Sequence, residues 1–175
     1  LLLALSVAGL VLVLGLELAD RVLVRDELEV ARALQRALLP EAPPPVPGWD
    51  FAFSSRTANT IGGDFYDLIP LPDGRLALVV GDASGHGIAA GLVMAIAGSA
   101  LKLALDLDPS PRSVLAVVNR ALLRTGDRHA FMTLCYGLLD PGTGDLDLAL
   151  AGHPFPLLRR RSGEVVEIGR GSLPL

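Results

Sequence analysis

The chain has 175 residues, 51% of them hydrophobic, and a formal net charge of −4, enough apolar side chain to bury the core of one domain with an appendage and too much for a disordered chain. Its basic residues are nearly all Arg and are scattered, except for Arg159, Arg160 and Arg161, so the charge pattern argues against a nucleic-acid partner. Cys135 is alone, which rules out an internal disulfide and fits a reducing compartment.

Residues 1–16, LLLALSVAGLVLVLGL, carry no charge. As a helix they extend about 24 Å, just short of a hydrocarbon core about 30 Å thick. Residues 1–19 are therefore read as the C-terminal part of a transmembrane helix, against the alternatives of a buried helix or a signal-peptide core. Because the chain begins on Leu1 and ends on GSLPL, it is expected to be an excised piece of something longer. Arg21, Arg25, Arg32 and Arg36 follow the apolar run, and Lys and Arg set orientation, so a membrane anchor with the remainder on the cytoplasmic side is expected.

Good helix formers continue to Leu39 without Pro or Gly, so residues 20–40 read as a linker helix. Leu16, Leu23, Val30 and Ala37 recur every seven residues, but Asp20 and Glu27 occupy the intervening positions, a weak coiled-coil signal. Two expectations stand side by side: a helix lying on its own domain, or a signalling helix that makes a homodimer. PEAPPPVPG cannot be helical and places a domain boundary near residue 40, with one domain over residues 41–175.

In that domain WDFAFSSR, DFYDLIPL and RLALVVGD read as strands, the last two joined by a turn at Pro72 to Gly74. The small-residue helix over residues 87–105 is expected to be buried on a sheet rather than to be a second membrane span. A further helix is expected to be capped by Ser110, with Pro111 at its first position, and to end at Gly126. Strands return at AFMTLCYGLLD and, after PGTG, at DLDLALA, where Leu146, Leu148 and Leu150 alternate with polar or small residues. The whole is an α+β fold on antiparallel sheets.

Asp64 and Asp82 stand beside small residues at strand ends. They are expected to share one end of the hairpin only if the sheet bends or a third element intervenes. Adjacent carboxylates repel unless a divalent cation neutralises them, and Mg²⁺ or Mn²⁺ takes such oxygen ligands, with Gly63, Gly81 and Ala83 giving access to the backbone. Taken singly, each motif also fits an ordinary turn. His86 is a candidate general acid or phosphate contact, or a structural residue at a helix start; His153 is expected to brace a turn and His129 to be solvated. The three have no zinc-ligand spacing. Cys135 has no Arg six positions later, and no phosphate-binding loop of the NTPase type occurs.

The motifs LQRALLP, GGDFYD, GDASGHG, FMTLCYGLLD and AGHP, in that order over about residues 30–175, resemble the bacterial PPM-type serine/threonine phosphatases of the RsbU and SpoIIE group. The resemblance implies a two-layer antiparallel β-sandwich flanked by helices, with two Mn²⁺ or Mg²⁺ ions at one end. It makes Asp82 the ligand bridging both ions, Ala83 a carbonyl ligand and Asp64 a ligand that completes the shell or holds its water. A water activated by the metals then attacks phosphorus in line. It further implies a phosphoprotein substrate of the anti-sigma-factor-antagonist kind, and control through dimer geometry of the linker helix. The group carries a later Asp-Gly and a final Asp that this sequence lacks, so weak metal binding and inactivity of this stretch alone are expected. A noncatalytic signalling or binding module with the same fold is the alternative.

Overall fold

A computed structural model of the protein describes residues 2–57, 61–125 and 130–175. The apolar stretch and the linker form one unbroken helix, α1 (Leu2–Leu38), about 55 Å long at 1.5 Å per residue. Its apolar side chains at Leu10 to Leu14, Leu16 and Leu18 are uncovered, and among the described side chains its last turns meet the domain, through Leu38 and the buried Gln35. Pro40 removes the donor that would continue it.

The strand expected at WDFAFSSR does not form. Residues 50–57 join no ladder, and Val46 and Trp49 share an isolated bridge. The Trp49 indole donates to the Pro141 carbonyl at 3.1 Å, and its ring stacks on Phe51. Phe53 leans on Tyr66 with ring centroids 4.8 Å apart. The segment therefore passes from the Pro141 turn towards Tyr66, held by aromatic side chains and without ladder pairing.

The main sheet has the order β1 (Asp64–Pro70), β2 (Leu76–Ala83), β3 (Met132–Leu139), β4 (Leu146–Ala151), and every pair is antiparallel. The β1–β2 turn closes with Leu71 N–H on Arg75 O at 2.8 Å and needs Gly74, whose φ is +87°. Alternation along the strands turns Phe65, Val79, Leu134 and Tyr136 to one face, where α2 (Gly87–Leu107) and α3 (Pro111–Leu123) cover them. By length and composition α2 could cross a membrane; it packs on the sheet instead, as expected. Gly98 allows this, since a Cβ there would sit 3.0 Å from the Phe65 ring.

Ser110 holds the position before α3, but its hydroxyl caps nothing. It donates to Asp108, which also accepts from Ser110 N–H at 2.9 Å and from the Ser113 hydroxyl. The helix ends at Leu123, and Gly126 lies outside the described residues. On the other face Leu146, Leu148 and Leu150 point away from the helices, and Gly169 packs against Leu150. Where the resemblance implies a sandwich, the described residues form one four-stranded sheet and a two-stranded ribbon, β5 (Leu157–Arg159) with β6 (Val165–Glu167). These two strands of three residues, exposed apart from a half-buried Val166, form a ribbon of their own and do not pair with the main sheet.

Two polar groups organise the helix side. Tyr136 donates to the Pro109 carbonyl at 2.7 Å, and burial pushes its phenol up to about 12. Asp67 points inward from β1, 7% exposed, with Lys102 of α2 at 3.2 Å and Leu68 N–H at 2.9 Å. Lys102→Met strands that carboxylate, and because the lysine is half exposed the loss of stability expected in urea denaturation is about 1–2 kcal/mol, below that of a fully buried pair. Adding Asp67→Leu should recover most of it; a double variant no better than the single one refutes the pairing.

Candidate functional site

The β1–β2 register sets Asp64 directly opposite Asp82, and Pro70 opposite Leu76. No bend and no third element is involved: in a hairpin the first residue of one strand neighbours the last of the next. Both side chains point away from the helices and are exposed. Directly paired positions place their Cβ atoms about 5 Å apart, so the two carboxylates repel unless a cation lies between them.

The backbone beside them is tightly drawn. Ala83 N–H donates to Gly63 O at 3.1 Å, extending the ladder past Asp64. A Cβ on Gly63 would come within 2.6 Å of the Ala83 carbonyl oxygen and 3.0 Å of Asp82 Oδ1. Glycine is thus required for a carbonyl and a carboxylate to crowd one spot, while the Ala83 methyl is buried in the core. Gly81 serves a different purpose from the access inferred for it. It is buried on the helix face, where a Cβ would strike Met132, Thr133 O and Leu134 within 2.8 Å.

The polar row continues across the sheet. Thr133 of β3 lies opposite Asp82, and its hydroxyl is 2.9 Å from His153 Nδ1, just beyond β4. His153 thus braces the strand end and also joins Asp64, Asp82, Arg56 and Tyr66 around a hollow of about 330 Å³. Burial pushes its imidazole down from the ordinary value, and the charges of Asp82 and Asp64 pull it back up. His86 is exposed at the residue preceding α2 and does not line that hollow. His129 lies outside the described residues.

Sequence reasoning missed Gln35. Its carboxamide accepts from Gly62 N–H at 3.1 Å and donates to Gly62 O, completing both backbone hydrogen bonds of one residue as a neighbouring strand would. The signal was a single amide among the leucines of LQRALLP. Gly91 of α2 makes room, since a Cβ there would meet Ile61 at 2.4 Å.

Two carboxylates and a crowded carbonyl are hard oxygen donors suited to Mg²⁺ or Mn²⁺. Among the described residues no group of three or more His, Cys, Asp or Glu side chains gathers to hold a metal, so they fit one side of a metal centre and leave the rest to water or other ligands.

The family model for Stage II sporulation protein E (SpoIIE) matches residues 72–175. The chain belongs to the SpoIIE family. Asp82 lies inside the matched stretch and Asp64 just before it. Phosphoserine phosphatase RsbU of Bacillus subtilis is 28% identical over 134 residues, covering 74% of this chain and 38% of that protein. The RsbU and RsbW domains of Rv1364c from Mycobacterium tuberculosis superpose with a TM-score of 0.59 at 35% identity, over 70% of this chain and 34% of theirs. The SiaA-PP2C domain of Pseudomonas aeruginosa gives a TM-score of 0.70 at 21% identity, over 89% of this chain and 64% of that one, and so shares the fold. The chain therefore spans only about a third of the length of the RsbU relatives. A SpoIIE-type domain of mixed α/β structure on an antiparallel sheet is the common ground.

Gln35→Ala leaves both Gly62 groups without their partner. The expected cost is about 1–3 kcal/mol in urea denaturation, with faster amide exchange at Gly62 and Gly63. Unchanged exchange there would show that the clamp does not hold this segment.

Proposed function

We propose that this chain is the metal-ligand half of a metal-dependent protein serine/threonine phosphatase acting on a phosphorylated regulatory protein. The observation that carries the reading is the pairing of Asp64 with Asp82 beside the Ala83 carbonyl. Asp82 would bridge two Mn²⁺ or Mg²⁺ ions, Ala83 would offer its carbonyl to one of them, and Asp64 would hold an ion or its water. When bound, such ions supply an activated water and neutralise charge on the phosphoryl oxygens. Thr133 and His153 stiffen the strand end that presents Asp82. His86, exposed before α2 and outside the hollow, is kept only as a candidate substrate contact.

The rest of the reading follows the same resemblance. Residues 1–19 would complete a transmembrane helix, supported by the uncovered leucines of α1, residues 20–40 would link it to the domain over residues 41–175, and that domain would face the cytoplasm at the cell membrane. The substrate would be an anti-sigma-factor antagonist, and α1 would pair two copies into a homodimer. Because the described residues bring only two carboxylates together, ligands beyond them are needed for activity, and this stretch alone would be inactive. The same scarcity favours a second reading, a noncatalytic signalling module of the same fold.

In the full-length protein, Asp82→Asn should lower Mn²⁺-dependent phosphoserine hydrolysis about 100- to 1,000-fold, the scale of losing one electrostatic stabiliser of the transition state, without lowering the melting temperature. Near-normal turnover would sink the metal assignment; no Mn²⁺-dependent turnover in the unaltered protein would favour the noncatalytic module. For the helix, Asp20→Leu with Glu27→Leu should strengthen self-association in sedimentation and fix activity in one state. A switch works only if its two arrangements differ by a few kcal/mol, and if neither property moves the helix is a passive tether.

A further inference from the structure

A cleft of about 800 Å³ lies between the last turns of α1 and the segment leading to β1, with Arg32, Arg36 and Arg56 in its walls. Among the described residues Glu41 is the one carboxylate lining it, and none of the three arginines has an ion-pair partner. In a chain of net charge −4, three guanidinium groups against one carboxylate in one concavity are a local reversal of sign. Arg32 and Arg36 stand one helical turn apart and so share a face. The Gln35–Gly62 clamp between them fixes that face against the domain.

The cleft adjoins the carboxylate hollow. Ser55, Arg56 and Tyr66 line both, so an extended segment lying in the cleft runs on towards Asp64 and Asp82. Arginine forks bind carboxylates in pairs of parallel hydrogen bonds, and a cleft of one sign raises the local concentration of the opposite charge. We infer that this cleft docks an acidic stretch of the phosphoprotein, next to the phosphoserine presented to the Asp64–Asp82 pair; the inference rests on the phosphatase reading above. An anionic lipid surface is the competing ligand, but Arg32 lies 13 residues beyond residue 19, about 20 Å along a helix. That is past the few ångströms of headgroup layer on each side of the hydrocarbon core.

The test is fluorescence anisotropy on the full-length protein in chelator, where binding is read without turnover. The probes are two phosphoserine dodecapeptides identical except that the flanking residues are Asp and Glu in one and Asn and Gln in the other. The acidic peptide should bind about tenfold tighter, the outcome of two or three partly exposed charge pairs, and the preference should shrink as salt rises. Arg32→Gln with Arg36→Gln should abolish the preference, whereas Glu41→Gln, which removes the opposing charge, should tighten binding about twofold. Equal affinity for the two peptides, or a preference that survives the double arginine variant, overturns the inference. So does displacement of the acidic peptide by phosphatidylserine vesicles through the same two arginines, which would assign the cleft to a membrane. With Mn²⁺ added, an intact acidic preference without hydrolysis of either peptide would overturn the phosphatase reading and leave the docking cleft standing.

Discussion

Asp64 and Asp82 face each other across one rung of the β1–β2 ladder, and like charges so placed are unfavourable unless something neutralises them. Everything around them serves to hold that placement. The tight Gly74 turn fixes the register, and Gly63 lets the Ala83 carbonyl and the Asp82 carboxylate crowd one point. Thr133 and His153 extend the polar row over the remaining strands. The arrangement leaves both carboxylates on an open face of the sheet, which is what the proposed metal site requires.

Strand β1 shows the difference between a carboxylate matched inside the protein and one left at its surface within four residues. Asp67, on the inward parity, is buried and matched by Lys102 and a backbone N–H. Asp64, on the outward parity, is exposed and paired only with another acid. Period-two alternation alone separates them. One is neutralised by the protein and the other is left for a ligand.

Among the described residues the clamp of Gln35 on Gly62 is the polar hold of α1 on the domain, two residues before Asp64. A helix that otherwise leaves its apolar side chains uncovered is thereby tied to the strand that opens the site, and the arginines on either side of Gln35 come to border the approach to it. Movement of α1 would be felt first at Gly62 and Gly63, where a side chain cannot be accommodated, and a positively charged wall would move with it.

Hydrophobic periodicity, turn chemistry and proline placement determined the helices, the β1–β2 hairpin and the later strands, because those signals are local and each is satisfied within a few residues. The same logic misled at WDFAFSSR: an aromatic, alternating run satisfies strand propensity equally well when its side chains anchor it without ladder pairing. GGDFYD and GDASGHG announced the two aspartates and their oxygen chemistry. Their direct pairing is a fact of register, set by a turn length and a glycine acting together over eighteen residues. Gln35, Thr133 and the arginine cleft were beyond the sequence, since each draws its meaning from a partner far along the chain. Residue types and spacing chose the chemistry; only the folded sheet, with the end of α1 clamped to the segment before β1, decided which groups share a site.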